Sequence, residues 1–119
     1  MTVSILGTKY EIIKKKYADD PDFEQSGIDG YCDTHSKLIV HCDMATYPGW
    51  QTEPPESIRR NEQNTLRHEI IHAFLAESGL AENSLKPTGA WALNEEMVDW
   101  FALQGEKIWA AWQAANAVG

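Results

Sequence analysis

The stretch LRHEIIHAFLA, at residues 66–76, decides how this chain is expected to fold. Its apolar residues Leu66, Ile70, Ala73 and Phe74 are spaced at i, i+4, i+7 and i+8, which is the spacing of one face of an α-helix. A helix with a single stripe of this kind packs that stripe against a core. The stretch therefore predicts a helix whose apolar face contacts the rest of the protein.

The residues on either side of this stretch indicate where the helix begins and ends. Pro54 and Pro55 can only precede or open a helix, because proline lacks the backbone N–H that a helix interior needs. Gly79 is the residue type expected just past a helix C-terminus. The helix is therefore predicted to run from about residue 56 to residue 78.

A second long helix is predicted further along the chain, over residues 90–115, after a connecting loop with the sequence LAENSLKPTG. Its apolar residues recur at helical spacing and are expected on the buried side. These residues are Met97, Val98, Phe101, Ile108, Trp109 and Trp112.

The first forty-three residues predict β-structure. Val3, Ile5, Tyr10 and Ile12 alternate with polar neighbours, as in a hairpin of two half-buried strands. The segments IDGYCD and KLIVHCD predict a second hairpin, and DDPDFEQSG before them is expected to be a loop. Strands followed by two long helices indicate an α+β protein. The expected fold is a single domain over residues 1–119, with a small N-terminal antiparallel sheet packed on the two helices.

Composition and charge exclude several classes of protein. The 119 residues are 43% hydrophobic and 24% charged, which is typical of a globular chain and not of a disordered one. The net charge of −8 argues against a nucleic-acid partner. No apolar stretch has the length of a membrane span. Two cysteines cannot form a disulfide framework, so a cytoplasmic protein with reduced thiols and no membrane partner is expected.

Two histidines and a glutamate lie within the central helix. His68 and His72 are about 40° apart round the helix and one turn apart along it, so their imidazoles can meet at one point. Ile71 and Leu75 flank them, which predicts a second buried side. In the pattern H-E-x-x-H the imidazoles bind zinc and the glutamate, here Glu69, serves as general base. The alternative is that two core histidines share this helix by chance.

A catalytic zinc ion takes three protein ligands, so a third ligand is needed. Glu95 and Asp99 lie four residues apart in the segment LNEEMVDWFAL and therefore share one face of the second helix. Glu95 can complete a His₂Glu set while Asp99 holds an imidazole N–H from behind. Two alternatives remain: the carboxylates form a solvated helix face, or His41 on its predicted strand faces the site.

The two motifs together resemble those of a known family. HEIIH followed on the next helix by NEEMVDW is similar to the gluzincin clan of zinc metallopeptidases, and in particular to the small ImmA/IrrE-like and phage-associated members. The resemblance is specific over residues 66–103 and looser over residues 28–43. It implies a zincin-like fold, a Zn²⁺ cofactor and a peptide or protein substrate.

Matched residue by residue, the resemblance assigns His68, His72 and Glu95 as metal ligands and Glu69 as the base. Asp99 matches the carboxylate that supports a ligand. No residue can be matched to the group that stabilises the oxyanion in larger relatives. By elimination, the candidates for this group are Tyr31, His41 and Tyr47.

The expected function is therefore a zinc-dependent endopeptidase, with the strand at residues 37–43 as the edge on which an extended peptide docks. A second hypothesis is a latent zinc protein whose site is covered by the loop that contains Tyr47 and Trp50. A third is a regulatory binding module that acts on a phage or host protein without zinc chemistry. Metal content and peptide hydrolysis, measured together, separate the three.

Overall fold

A computed structural model describes residues 1–81 and 89–119 of the chain. The fold is α+β, as predicted, with one four-stranded sheet and two long helices. The strands are β1 (Thr2–Ile5), β2 (Thr8–Lys16), β3 (Gly30–Asp33) and β4 (Leu38–Asp43). The helices are α1 (Pro21–Ser26), α2 (Pro55–Glu77) and α3 (Glu95–Ala114), and short 3₁₀ turns lie at Tyr17–Asp19, Met44–Thr46 and Trp91–Leu93.

The sheet is mixed, so the prediction of an antiparallel sheet is wrong in one respect. The strand order is β1-β2-β4-β3, and the hairpins β1–β2 and β3–β4 are antiparallel as expected. The central pair β2–β4 is parallel. Parallel neighbours need a crossover of a dozen or more residues. Residues 17–37, which include α1 and the edge strand β3, supply it, so that β4 returns beside β2 in the same direction.

The segment predicted as a loop before β3 contains helix α1. The Asp20 side chain accepts a hydrogen bond from the backbone N–H of Asp22 over 3.1 Å, which caps the helix at its N-terminus. Pro21 occupies the first turn, where its missing N–H has no cost. Gly27 ends the helix in the left-handed conformation, with φ of 62°. The buried ring of Phe23 fixes this short helix to the sheet.

Helix α2 packs on one face of the sheet. Ala73 is fully buried against Ile5, Tyr10 and Ile39, and the predicted stripe residues Leu66 and Ile70 pack against the same cluster. Phe74, which was also expected in the stripe, is exposed. The other face of the sheet is covered by a second cluster, formed by Phe23, Val40, Cys42 and Met44.

Helix α3 begins five residues later than predicted, and of the side predicted to be buried only Val98 is fully buried. Asn94 accepts a hydrogen bond from the Met97 N–H over 2.8 Å and so starts the helix at Glu95. The buried residues of α3 are Val98 and Ala102. Small residues at these positions let α2 and α3 approach closely. Of the side predicted to be buried, Phe101, Trp109 and Trp112 are exposed instead.

Two polar clusters fix α2 to its neighbours. Arg67 donates to the Ala102 carbonyl over 2.7 Å and to Glu106 over 3.0 Å, which holds α3 against α2. At the other end of α2, Glu77 accepts hydrogen bonds from Thr8, Tyr10 and Lys37, which join the helix to the sheet.

No helix within residues 1–81 and 89–119 combines the length and the apolar character that crossing a membrane requires. The predicted connecting loop includes residues 82–88, which lie outside the described part of the chain.

Candidate metal centre

The two histidines of the central motif meet on the side of α2 that faces α3. The Nε2 atoms of His68 and His72 are 3.0 Å apart, and the rings stand edge to face. Their side chains are 17% and 18% exposed. Spacing by four residues therefore brings the two imidazoles together as predicted, and both are largely shielded from solvent.

Glu95, the first residue of α3, reaches both imidazoles. Its Oε2 atom is 3.0 Å from Nε2 of His68, and its Oε1 atom is 3.1 Å from Nε2 of His72. The cap by Asn94 sets the phase of the first turn of α3 and so directs Glu95 towards α2. Its neighbour Glu96 points into a separate depression on the surface of α3. The structure thus brings Glu95, and not Glu96, to the histidine pair.

Asp99 lies behind His68, at the position expected from its spacing to Glu95. Its Oδ1 atom is 2.8 Å from Nδ1 of His68. A carboxylate at this distance accepts the Nδ1–H proton and so leaves Nε2 as the nitrogen with a free lone pair. Nε2 is the atom that faces His72 and Glu95, so Asp99 selects the tautomer that can bind a cation between the three side chains.

The donor set fits a metal ion of the zinc type. His68, Glu69 and His72 offer ligand atoms that all lie within 4.8 Å of one another, so this group could hold a metal ion. Glu95 lies closer to the imidazoles than Glu69 does. Ligand bonds of about 2.0–2.1 Å in a tetrahedral site place neighbouring donor atoms about 3.3 Å apart. The two Nε2 atoms are 3.0 Å apart, and each lies 3.0–3.1 Å from one of the two Glu95 carboxylate oxygens, which is close to that spacing.

Glu69 lies beside His68, His72 and Glu95, but on the side of α2 that faces the sheet. Its side chain is buried, and its Oε1 atom is 4.0 Å from Nε2 of His68. The pKa of Glu69 is raised to about 7, chiefly by burial; His68 acts to lower it, and the nearby carboxylates, first among them Glu95, add to the rise. Burial also lowers the pKa of His72. A carboxyl group with a pKa near 7, such as that of Glu69, can both accept and return a proton near neutral pH.

A cavity of about 480 Å³ lies between α2 and β3 and contains part of the centre. Its walls include Gly30, Tyr31 and Cys32 of β3, and Glu69, His72 and Glu95. Strand β3 is at the edge of the sheet, whereas β4 is paired on both sides. The prediction that residues 37–43 form the docking edge is therefore wrong, because the parallel β2–β4 pairing places that strand inside the sheet.

The other candidate residues named from the sequence do not contact the two histidines. His41 has Glu62, Lys14 and Asp43 as its charged neighbours, so it is not a ligand beside His68. Tyr47 and Trp50 pack into the Phe23 cluster on the other side of the sheet, and their loop does not cover the histidines. Tyr31 lines the cavity, but its hydroxyl donates to Asp20 over 2.6 Å.

Two residues of β3 border the centre without having been predicted to do so. A Cβ atom at Gly30 would be 2.6 Å from the Thr65 methyl group and 3.6 Å from Cγ of Glu69, so glycine allows β3 to approach α2 closely. Burial, with the nearby charge of Glu69, raises the pKa of the Cys32 thiol to about 12. Cys32 is therefore protonated at neutral pH and is not a nucleophile. The glycine that opens GYCD was the only sequence signal for this approach.

Comparisons of the chain with protein-family models, with curated proteins and with solved structures find no match. The gluzincin assignment therefore stays a prediction from the sequence motifs.

Proposed function

We propose that this chain is a zinc-dependent peptidase in which His68, His72 and Glu95 hold the metal ion. The observation that carries the proposal is that the Nε2 atoms of His68 and His72 and the carboxylate of Glu95 meet at 3.0–3.1 Å, with a buried carboxylate, Glu69, beside them. A purely structural cluster of charges does not need a separate buried acid at its edge. The arrangement has the parts that metal-assisted hydrolysis requires: a ligand set, a base and an adjacent cavity.

Each residue has a distinct role in the proposed reaction. The zinc ion, when bound, supplies Lewis acidity towards the scissile carbonyl and the attacking water. Glu69 accepts the proton of that water as its oxygen attacks the carbonyl carbon, and returns the proton to the amine nitrogen as the C–N bond breaks. The products are a carboxylic acid and an amine. Asp99 keeps His68 in the tautomer whose Nε2 lone pair is available.

The edge strand β3 is the proposed docking site for the peptide. No strand formed by residues 1–81 or 89–119 pairs with its outer backbone groups, so an extended peptide can add to the sheet there. Gly30, Tyr31 and Cys32 of β3 line the cavity that also contains Glu69 and His72. A peptide paired with β3 would therefore pass along the cavity and close to the ligand set.

The proposal is tested by measuring metal content and peptide hydrolysis on the same preparation. Elemental analysis should find about one zinc ion per chain, and a library of fluorogenic peptides, together with casein, should be cleaved. Chelation should stop cleavage, and added zinc should restore it. Absence of both metal and cleavage would overturn the proposal and favour a binding module without zinc chemistry.

A latent zinc protein with a regulatory binding role, as in a phage or prophage, is a second candidate. One observation favours it: among the described residues, the hydroxyl of Tyr31 is engaged by Asp20, and Tyr47 and His41 lie elsewhere. None of these three groups is placed to stabilise an oxyanion. Zinc bound at one ion per chain without hydrolysis of any peptide would support this second function.

A further inference from the structure

The outer surface of α3 and the turn before it expose large apolar side chains. Trp91, Trp100 and Leu103 are all exposed, and the ring of Trp100 contacts that of Phe101 with 5.3 Å between centroids. Isolated apolar side chains are normal on a protein surface, but a contiguous group marks a site of interaction. This group lies on the opposite side of α3 from Val98 and Ala102, which pack on α2.

These side chains form a depression that we call the tryptophan groove. Its apolar walls are Trp91, Met97, Trp100 and Leu103, and the carboxylates Glu96 and Asp99 lie at its rim. The volume of the groove is about 600 Å³. It is separate from the cavity between β3 and α2, with which it shares no residue.

The size of the tryptophan groove indicates what can occupy it. A large aromatic side chain buries about 150–250 Å², so Trp91 and Trp100, each a little more than half exposed, together offer on the order of 200 Å², to which Leu103 adds a smaller area. One partner in a standard protein interface buries about 800 Å². The groove is too small to hold a stable dimer and is suited to a short segment of chain.

Charge indicates the chemistry of that segment. Glu96 and Asp99 border the groove, and the chain carries a net charge of −8. A second copy of this chain, an anionic membrane or a nucleic acid would each bring like charge to the rim. A lysine or arginine of a partner could form an ion pair with a carboxylate at the rim and a cation–π contact with the ring of Trp91 or Trp100.

We propose that the tryptophan groove binds a segment of a partner protein in which apolar side chains alternate with lysine or arginine. The apolar side chains fill the space between Trp91, Trp100 and Leu103, and a basic side chain pairs with Glu96. Asp99 borders the groove and also contacts His68, so the test of binding uses Trp100 and Glu96, which do not contact the metal centre.

The probe is a short labelled peptide of alternating leucine and lysine, compared with its counterpart in which glutamate replaces every lysine. Fluorescence anisotropy should show binding of the lysine peptide alone, weakened by salt. Trp100→Ala should weaken binding by about tenfold or more, as expected for a central tryptophan of an interface. Glu96→Gln should weaken it by about twofold to fivefold. Glu69→Gln should bind the peptide as the parent protein does.

Trp112→Ala is the matched control, because Trp112 lies on the same helix and is 52% exposed, against 53% for Trp100. Equal losses in the two tryptophan variants, or equal binding of both peptides, would show non-specific adhesion and overturn the proposal. Self-association that Trp100→Ala abolishes would make a second copy the occupant. Binding to anionic vesicles in place of the lysine peptide would also overturn it.

Discussion

The Nδ1 atom of His68 and the Oδ1 atom of Asp99 are 2.8 Å apart, and this contact joins α2 to α3 behind the candidate metal centre. Glu95, one turn earlier on α3, reaches the same imidazole from the other nitrogen. Both nitrogens of His68 are thus engaged by carboxylates from one face of α3. The orientation of this ring is therefore set by the packing of the two helices.

Glu69→Gln should keep the fold and the metal ion but abolish hydrolysis. Glutamine has nearly the same shape as glutamate, but an amide cannot accept the proton of water. Zinc content measured by elemental analysis should equal that of the parent protein, while the rate of peptide cleavage falls by at least about a hundredfold. The control is Glu56→Gln at the exposed start of α2, which should leave both quantities unchanged. Loss of zinc from the Glu69 variant would make Glu69 a ligand.

Glu95→Ala should weaken zinc binding far more than Glu96→Ala does. Adjacent residues on a helix point about 100° apart, and only Glu95 contacts both imidazoles. Loss of one of three ligands should raise the dissociation constant by about a hundredfold or more, whereas Glu96→Ala should change it by less than about threefold. Competition with a chromophoric chelator measures both values. Equal effects of the two substitutions would show that α3 does not supply the ligand.

Removal of metal should lower the melting temperature. Ligands from α2 and α3 come together only in the folded state, so zinc at about a hundred times its dissociation constant adds about 2.7 kcal/mol to stability. For a chain of this size, that corresponds to roughly 10 °C. Calorimetry with and without a chelator measures the shift. In Glu95→Ala the shift should be much smaller, and an unchanged curve for the parent after verified removal of zinc would contradict a site shared by both helices.

The same substitution at two glycines should have opposite effects on stability. Gly30→Ala places a Cβ atom 2.6 Å from the Thr65 methyl group and 3.0 Å from the Val40 carbonyl, so it should destabilise the fold by about 1–3 kcal/mol. Gly105→Ala in α3 meets nothing within 4 Å and should stabilise the fold by about 0.5–1 kcal/mol. Urea denaturation measures both.

A second substitution tests whether contact with the Thr65 methyl group causes the expected loss of stability in Gly30→Ala. Thr65→Ser removes the crowded methyl group but keeps the hydroxyl that donates to Asp29 over 3.1 Å. Combined with Gly30→Ala, it should recover part of the lost stability, although the contact with the Val40 carbonyl remains. A double variant no more stable than Gly30→Ala alone would place the strain elsewhere.

Stability at acid pH should depend on Glu77. The hydrogen bond from Lys37, followed by those from Tyr10 and Thr8, lowers the pKa of Glu77 from 4.5 to about 2. A carboxyl group whose pKa is lower in the folded state stabilises the fold above its unfolded pKa, and this contribution is lost as the pH falls from about 4.5 towards 2. The melting temperatures of the parent and Glu77→Gln should therefore differ above pH 5. The difference should shrink as the pH falls from about 4.5 towards 2. Glu24→Gln, on the exposed face of α1, should match the parent at every pH.

Local patterns in the sequence predicted α2 and the centre of the site well. The apolar residues Leu66, Ile70 and Ala73 mark the face of α2 that packs on the sheet, and Pro55 and Gly79 lie at its ends as expected. Spacing by four residues brings His68 to His72, and the same spacing aligns Glu95 with Asp99. These relationships depend only on helix geometry, which is the same in every protein.

Features that depend on tertiary contacts were not predicted. Helix α1 has only six residues, too few for an apolar period, although Asp20 and Gly27 carried its capping signals. The β2–β4 pairing joins segments that are far apart in the chain, so no local pattern specifies its direction. In α3, more than one side is apolar, and periodicity alone cannot decide that Val98 is packed while Trp109 is exposed.

The position of β4 between β2 and β3 has a consequence for the order of folding. The hairpins β1–β2 and β3–β4 each join neighbouring segments, so each can form early at a small loss of chain entropy. The sheet is complete only when β2 pairs with β4 across the whole crossover of residues 17–37. We therefore expect docking of the two hairpins to limit the folding rate, so that substitutions at the pair Ile13 and Val40 slow refolding more than substitutions within either turn.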